Sequence, residues 1–159
     1  MPVSVRQARP DEVAAVTRLI NAAFVVERFF KKGDRTTPDV VRALTAKGFF
    51  LVAAEPGRDL AGSVYVEIRG ASVYVGMLAI DPSRQGTGLG RVLMTAAENH
   101  GREHGCSTAD ITVVNLRTEL PPFYRRLGYI ETGTTPFDRG DEITQGCHFI
   151  AMSKRLYGD

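Results

Sequence analysis

The stretch that decides the fold is YVGMLAIDPSRQGTGLGRVLM, residues 74–94. It begins with an apolar run, residues 75–80, which is typical of a buried strand. An Asp81-Pro82 turn and a glycine-rich loop follow, and from Gly88 onward the apolar residues take the spacing of a helix. Glycines that open a helix after a strand are typical of a phosphate-binding site, because backbone N–H groups and the helix dipole favour an anion there.

Three kinds of phosphate-binding loop can be distinguished by the spacing of their residues. A Walker loop needs G-x-x-x-x-G-K-[ST], and this segment contains no lysine. The dinucleotide fingerprint G-x-G-x-x-G is not met either, because Arg91 occupies the third glycine position. A dinucleotide-dependent oxidoreductase is therefore our third hypothesis. The remaining pattern, Q/R-x-x-G-x-G/A, fits residues 85–90.

Together with LAIDP at residues 78–82, this loop resembles the acetyl-CoA pyrophosphate loop of the Gcn5-related N-acetyltransferase (GNAT) family. A second segment is similar to the N…(F/L)Y-x-x-x-G-(F/Y) pattern of the same family: Asn115 is followed by FYRRLGY at residues 123–129. The interval from Asn115 to Tyr124 is longer than the usual one in the family and includes two prolines. The resemblance spans nearly the whole chain and is strongest between residues 74 and 129.

The resemblance implies an α/β (α+β) GNAT fold, with a mixed, mostly antiparallel sheet of about six to seven strands flanked by about four helices. We expect one N-acetyltransferase domain over residues 1–159, because no repeat or linker divides the chain. Predicted strands cover residues 3–8, 49–54, 61–69, 75–80, 108–114, 129–132 and 147–153, and predicted helices cover 10–25, 37–46, 88–104 and 121–127. The long helix is predicted to turn one side toward the core, formed by Leu89, Val92, Leu93, Ala96 and Ala97.

The resemblance also implies acetyl-CoA as the co-substrate, with the pantetheine arm filling a gap where two neighbouring strands separate. The implied cofactor-binding residues come from the end of the central strand, the loop, the first helical turn and the second motif. They are Leu78, Ala79, Ile80, Gln85, Gly86, Thr87, Gly88, Leu89, Gly90, Arg91, Asn115, Phe123 and Tyr124.

Acetyl transfer to an amine requires a neutral amine, a polarised thioester carbonyl and protonation of the departing thiolate. By resemblance, the backbone N–H of Leu78 donates to the carbonyl and Tyr124 is the general acid. Proton transfer from a phenol with a pKa of about 10 to a thiolate with a pKa of about 8.5 is only modestly uphill in free energy. The alternative for Tyr124 is a core tyrosine packed under the short helix.

Many family members carry a glutamate on the central strand as the general base. This chain has Tyr74 at the corresponding position. If Gly70-Ala71 forms a two-residue hairpin, Glu67 lies opposite Tyr74 on one face of the sheet, which we also expect Leu78 to share. Glu67 is then the candidate base, acting through water. The alternative is a solvated strand residue.

The acceptor is expected to be a small-molecule or peptide amine that attacks directly in a ternary complex. In the family, the segment between the first two helices lines the acceptor pocket, which makes Phe24, Phe29 and Phe30 candidate substrate contacts together with Tyr74. The alternative is that the phenylalanines pack the helix pair. A polyamine, an antibiotic, an amino acid and a protein N-terminus all stay open.

A second candidate for the acceptor pocket is a polar loop predicted at residues 133–146. Its acidic residues, Asp138, Asp141 and Glu142, would attract a cationic amine, although charges in a loop are usually just solvated. The competing hypothesis for the whole chain is a non-catalytic acyl-CoA-binding or sensory module. The missing central-strand carboxylate favours that hypothesis, and Tyr124 speaks against it.

Charge and composition exclude several other classes. The formal net charge is only +2 and the basic residues are dispersed, which gives nucleic-acid binding little support. No membrane span is predicted, because no apolar run reaches about 18 residues, and no secretion signal is predicted, because the basic, apolar and small-residue pattern of such a signal is not visible. The spacing of Cys106 and Cys147 favours free thiols in a reducing cytoplasm. We expect a monomer, or a homodimer formed through an exposed edge strand at the C-terminus.

A metal site is not predicted. His100 and His104 are spaced i, i+4, which would place both rings on one side of a helix. However, no glutamate occupies the HExxH position and the sequence offers no third ligand. We therefore expect the two histidines to lie at a solvated helix end.

Overall fold

The computed structural model of the chain describes residues 3–137 and 142–157. Within these ranges the helices are α1 (Val13–Ala23), α2 (Pro38–Leu44), α3 (Leu89–Glu103) and α4 (Leu120–Arg126). The strands are β1 (Ser4–Gln7), β2 (Phe49–Ala54), β3 (Gly62–Arg69), β4 (Ser72–Ile80), β5 (Thr108–Val114), β6 (Ile130–Pro136) and β7 (His148–Arg155). A short 3₁₀ segment, Phe24–Phe29, follows α1 where the sequence predicted two further helical residues.

The strands form one sheet in the order β1-β2-β3-β4-β5-β7-β6. Every neighbouring pair is antiparallel except β4 and β5, which run parallel and are joined by the crossover through α3. The predicted α/β fold with a mixed, mostly antiparallel sheet is therefore confirmed.

Two hydrophobic clusters lie on opposite faces of the sheet. One face packs against α3 through Leu93, Met94 and Ala97, all of which are buried. The other face packs against α1 and α2 through Ile20 and Val41. Burying one such large apolar side chain stabilises the fold by about 1.5–3 kcal/mol. The sequence placed Val92 on the core side of α3, and this was wrong: Val92 is 47% exposed, and Met94, rather than Val92, packs in the core.

The hairpin between β3 and β4 has the predicted register, in which Glu67 lies directly opposite Tyr74. Farther along the strands the register shifts. Ser63 pairs with Ala79 and Tyr65 pairs with Gly76, so one residue of β3 faces two residues of β4, Met77 and Leu78. This is a β-bulge, and Met77 adopts a positive φ of 52° within it.

The bulge reverses the alternation of side chains along the rest of β4. Tyr74 and Met77 pack with the α1 cluster, whereas Leu78 packs with the α3 cluster. The expectation that Leu78 shares a face with Tyr74 was therefore wrong. The extra residue also interrupts the regular hydrogen-bond ladder at Leu78, the residue whose backbone N–H the sequence resemblance assigns to the thioester carbonyl.

Strands β4 and β5 are paired over three residues only, Ser72 to Tyr74 with Thr108 to Asp110. Beyond the pair Tyr74–Asp110 the two strands diverge, and residues 75–78 with Ile80 of β4 and residues 111–114 of β5 form opposite walls of a gap. Separation of the central strand from its neighbour is what the sequence resemblance implied.

The last part of the sheet differs from the sequence prediction. Strand β6 extends to Pro136, so residues 133–136 of the predicted polar loop belong to a strand. Strand β7 lies between β5 and β6, and β6, whose residues are all exposed, is the edge strand in place of the C-terminal one. Asp138 and Asp141 lie outside the described residues. Within those residues, no helix has both the length and the apolar character needed to cross a membrane.

Candidate active site

The gap between β4 and β5 is part of a cavity of about 1070 Å³. At one end the cavity reaches the glycine-rich loop and the first turn of α3, and α4 covers one side through Phe123 and Tyr124. At the other end it reaches the α1 face of the sheet, where Phe24, Arg69 and Tyr74 line it. One cavity therefore connects the predicted phosphate site with the predicted acceptor site.

The glycine-rich loop has the geometry of an anion site. Gly86 and Gly88 have φ angles of 81° and 86°, values in the left-handed region that favour glycine. Gly88 is the N-cap of α3, and the first turn of this helix contains no acidic residue. The first N–H groups of a helix have no acceptor within the helix, so those of α3 are available to a ligand at this end of the cavity.

The structure separates the predicted cofactor-binding residues into two groups. Most of them line the cavity: Leu78, Ile80, Gln85, Gly86, Gly88, Leu89, Gly90, Arg91, Phe123 and Tyr124. Thr87 does not, because its hydroxyl donates to the carbonyl of Arg84 at 2.6 Å and closes the loop. Ala79 is buried in the α1 cluster instead.

Asn115 is the third predicted cofactor residue that does not line the cavity. Its side-chain Oδ1 accepts a hydrogen bond from the backbone N–H of His148 at 2.8 Å. Its own backbone N–H donates to the carbonyl of His148 at 2.9 Å. Asn115 therefore fixes the beginning of β7 against the end of β5, beside the cavity.

Tyr124 lies in α4 with its side chain at the cavity wall and is only 7% exposed. Its ring packs edge-to-face on Phe123 and Tyr129, with centroid distances of 5.0 and 5.8 Å. Burial raises the pKa of the hydroxyl, and the cationic Arg117 opposes this. A phenol with a raised pKa stays protonated at neutral pH, but it is a weaker acid, so its proton transfer to a thiolate is more uphill than for an ordinary tyrosine.

Glu67 is held by two hydrogen bonds within the protein. Its carboxylate accepts from the hydroxyl of Tyr65 at 2.6 Å and from Nε of Arg69 at 2.6 Å. The hydrogen bond from Arg69 lowers the pKa of Glu67 most, and burial opposes it. A carboxylate with a lowered pKa is a weak base. Glu67 also does not line the cavity, and its role as base stays a prediction.

The three predicted phenylalanines occupy different environments. Phe24 lines the cavity, and the guanidinium of Arg35 lies over its ring at 5.3 Å from the centroid. Phe30 is fully buried and packs edge-to-face with Phe29, with ring centroids 4.9 Å apart. Neither Phe29 nor Phe30 lines the cavity, so only Phe24 reaches the candidate acceptor site directly. For Phe30 the geometry favours the packing alternative.

Sequence reasoning missed a charged cluster at the acceptor end. Arg117 donates to Glu27 at 2.9 Å and to Glu119 at 2.8 Å, and all three residues line the cavity. Glu27 and Arg117 are 90 positions apart in the chain, so no local pattern could reveal their contact.

Asp110 does not line the cavity, but its position beside Tyr74 was missed for a similar reason. It is the parallel partner of Tyr74, and its Oδ1 accepts from the hydroxyl of Ser153 at 2.7 Å. Both strands were predicted, but only the register of the folded sheet places this carboxylate beside the tyrosine.

The described residues contain no group of three His, Cys, Asp or Glu side chains that could hold a metal ion. His100 and His104 lie together, with ring centroids 4.2 Å apart, and His100 also packs on Phe49.

A family model described as the acetyltransferase (GNAT) domain matches residues 12–156. The chain is 28% identical over 137 residues to a mycothiol acetyltransferase of Propionibacterium freudenreichii subsp. shermanii, covering 79% of this chain and 42% of that protein. It is 27% identical over 131 residues to a streptothricin acetyltransferase of Streptomyces lavendulae, covering 81% and 69%. The match thus spans less than half the length of the first relative.

Solved structures show the same fold. A nourseothricin acetyltransferase superposes with a TM-score of 0.78 at 21% identity, covering 99% of this chain and 100% of that one. Ard1 from Thermoplasma volcanium superposes with a TM-score of 0.81 at 16% identity, covering 99% and 100%. At these identities the likeness concerns the fold alone.

Proposed function

Because the chain belongs to the GNAT acetyltransferase family, we propose that it transfers the acetyl group of acetyl-CoA to a primary amine by direct attack in a ternary complex. One observation carries this proposal. The gap that opens beyond the pair Tyr74–Asp110 is continuous with the glycine-rich loop at the start of α3. A single extended ligand with a phosphate-bearing end and a thioester end fits that shape.

The loop and α3 supply the phosphate end of the proposed site. Backbone N–H groups between Gly86 and Arg91 are proposed to bind the pyrophosphate, helped by the dipole of the 15-residue helix α3. Arg91 adds a positive charge at the cavity wall. Arg84 is less available, because its guanidinium binds Glu55 at 2.6 Å.

The bulge and α4 supply the reacting end. The thioester provides an activated acyl group, and the chain is proposed to stabilise charge on its oxygen through the N–H of Leu78, at the bulge. The hydroxyl of Tyr124 would donate its proton to the departing sulfur. The amine would lose its proton to water, with Glu67 as the predicted remote base. Asp110, the β5 partner of Tyr74, is a second carboxylate near the acceptor end.

A non-catalytic acyl-CoA-binding module is the second candidate. The observation in its favour is that Glu67, the candidate base, is engaged by Tyr65 and Arg69 and does not line the cavity. The observation against it is the placement of Tyr124 at the cavity wall. We keep acetyl transfer as the first proposal.

We propose one catalytic domain that acts in the cytoplasm as a monomer or homodimer, on a small-molecule or peptide amine, without nucleic acid, membrane or metal. The unpaired thiols of Cys106 and Cys147 support a reducing compartment. The exposed edge of β6 is the surface on which a second copy would pair.

Two measurements test the proposed function. Calorimetric titration with acetyl-CoA, with NAD and ATP as controls, should give binding to acetyl-CoA alone. A turnover assay that detects free CoA should then give product with at least part of a panel of primary amines. Binding without turnover would favour the non-catalytic module, and failure of the folded protein to bind acetyl-CoA would overturn both candidates.

A further inference from the structure

We propose that the acceptor amine carries a carboxylate and that the guanidinium of Arg69 binds this group. The inference rests on the proposed acetyl transfer and names the chemical class of the acceptor. It starts from the position of Arg69, which ends strand β3 and lines the cavity next to Tyr74. This is the end of the cavity opposite the glycine-rich loop, so the anion that Arg69 would bind is distinct from the phosphates of the co-substrate.

Arg69 has N–H donors that its contacts within the described part of the chain do not use. Its Nε donates to Glu67 at 2.6 Å, and its guanidinium lies over the ring of Tyr74, 4.0 Å from the centroid. Its two terminal nitrogens make no hydrogen bond to any other part of the chain that the structure describes, and the side chain is 54% exposed. An arginine offers five N–H donors in a fixed planar arrangement that matches a carboxylate.

Glu67 and Tyr65 fix the orientation of the Arg69 side chain. The buried hydroxyl of Tyr65 donates to Oε1 of Glu67 at 2.6 Å, which leaves Oε2 for Arg69. Because the three side chains are linked in series and Tyr74 covers one guanidinium face, Arg69 loses little side-chain freedom when it binds a ligand. Within this proposal Glu67 is a positioning residue for Arg69, which explains its burial.

The charge of the cavity agrees with an anionic acceptor. Among the described residues, six arginines and two glutamates line it: Arg35, Arg69, Arg84, Arg91, Arg117 and Arg126, with Glu27 and Glu119. Both glutamates bind the same residue, Arg117. Arg84 and Arg91 lie at the phosphate end, so the acceptor end is lined by Arg35, Arg69 and Arg117 with the two glutamates. These five side chains sum to one positive charge, so a polyamine would meet no net negative charge there. An amine with an attached carboxylate meets complementary charge instead.

The test compares acceptors that differ only in this group. Phenylalanine, phenylalaninamide and phenethylamine, together with matched sets for other amino acids, would be assayed for acetyl-CoA-dependent turnover with the full chain. We expect a kcat/KM about 10- to 100-fold higher for the best acid than for its amide, the range for a hydrogen bond to a charged group. The Arg69→Ala and Arg69→Gln variants should lose most of this preference through KM while retaining affinity for acetyl-CoA.

Arg42→Gln is the matched control, because Arg42 is also exposed and also bound to a carboxylate, that of Asp39 at 3.0 Å, but lies outside the cavity. It should keep the preference for acids. Equal rates for acids and amides in the wild type, or an unchanged ratio in the folded Arg69 variants, would overturn the carboxylate assignment while acetyl transfer stands. If no amine of any class is acetylated, acetyl transfer falls and the assignment falls with it.

Discussion

The hydroxyl of Tyr74 lies directly against the backbone of Gly76 on the same strand. A Cβ added to Gly76 would be 2.7 Å from this oxygen and 2.9 Å from a ring carbon. The tyrosine ring therefore lies along the strand over a position that has no side chain, and its hydroxyl is next to the bulge formed by Met77 and Leu78. A glycine at position 76 is what allows a tyrosine hydroxyl to reach the proposed reacting end.

Replacing Gly76 with alanine should move the Tyr74 ring out of this position. We expect kcat/KM for the amine to fall by about tenfold or more, a typical result of misplacing a group at the reacting centre. The affinity for acetyl-CoA should change less than kcat/KM does, because Gly76 is remote from the loop that is proposed to bind the pyrophosphate. Steady-state kinetics and calorimetry would measure the two effects. Gly133→Ala is the control, since a Cβ at Gly133 meets no atom within 4 Å; equal effects of the two variants would contradict the prediction.

Tyr124→Phe removes the proposed general acid and keeps the ring. We expect kcat to fall by about 100-fold, at the lower end of general acid catalysis, with little change in the Kd for acetyl-CoA. Because burial raises the pKa of Tyr124, wild-type activity should not decline from its ionisation below about pH 10. The control is Tyr157→Phe, whose exposed hydroxyl donates to the carbonyl of Arg102 away from the cavity. A Tyr124→Phe enzyme with wild-type kcat would remove this residue from the mechanism.

Gly88→Ala introduces a side chain at a left-handed φ of 86° at the start of α3. The strain costs about 1 kcal/mol and shifts the backbone N–H groups of the loop. We expect the Kd for acetyl-CoA to rise by about tenfold in calorimetry, because the displaced N–H groups would lose about 1.4 kcal/mol of hydrogen bonding to the pyrophosphate. Gly57→Ala has a similar φ of 73° in a turn outside the cavity. The Gly57→Ala variant should lose similar stability but keep its affinity for acetyl-CoA. If it lost as much affinity for acetyl-CoA as Gly88→Ala, general destabilisation would explain both losses.

The pair Arg6–Glu12 makes stability depend on pH. Two hydrogen bonds of 2.7 and 2.9 Å join the side chains, and they lower the pKa of Glu12 to about 2. A depressed carboxyl pKa contributes stability that is complete above the unfolded value of about 4.3 and is lost as the pH falls toward 2. We expect Arg6→Met to lower the free energy of unfolding by about 1–2 kcal/mol at pH 7 and by less at pH 3.

Urea denaturation at both pH values would measure this difference. Arg42→Met, which breaks the exposed ion pair with Asp39, should change stability by at most about 0.5 kcal/mol at either pH. If the Arg6→Met variant and the wild type lose the same stability between pH 7 and pH 3, the pair is not responsible for the acid sensitivity.

Much of the fold was predictable because it depends on local patterns. Strands β2 and β5 were predicted with the bounds that the structure has, since continuous apolar runs end at turn residues there. The hairpin register followed from a two-residue turn. Strand β6 was predicted too short because an edge strand with all residues exposed has no alternation to detect.

The site was predictable only where one motif contains it, as in the glycine-rich loop. The bulge at Met77 and Leu78 depends on how β3 and β4 pair, and no residue type near it signals an extra position. Sheet register places Arg69 at the cavity wall and Asp110 beside Tyr74 but outside the lining, and Arg117 reaches the cavity with a contact to Glu27 across 90 positions. Such residues come together only after long-range pairing, which periodicity does not encode.

The short pairing between β4 and β5 divides the sheet into two leaves. Strands β1–β4 form one leaf, and β5, β7 and β6 form the other. The strand pairing between the two leaves consists of three residue pairs that end at Tyr74–Asp110. A ligand seated between the leaves contacts both and adds its binding free energy to that connection. The free energy that holds the two leaves together then increases with the concentration of this ligand.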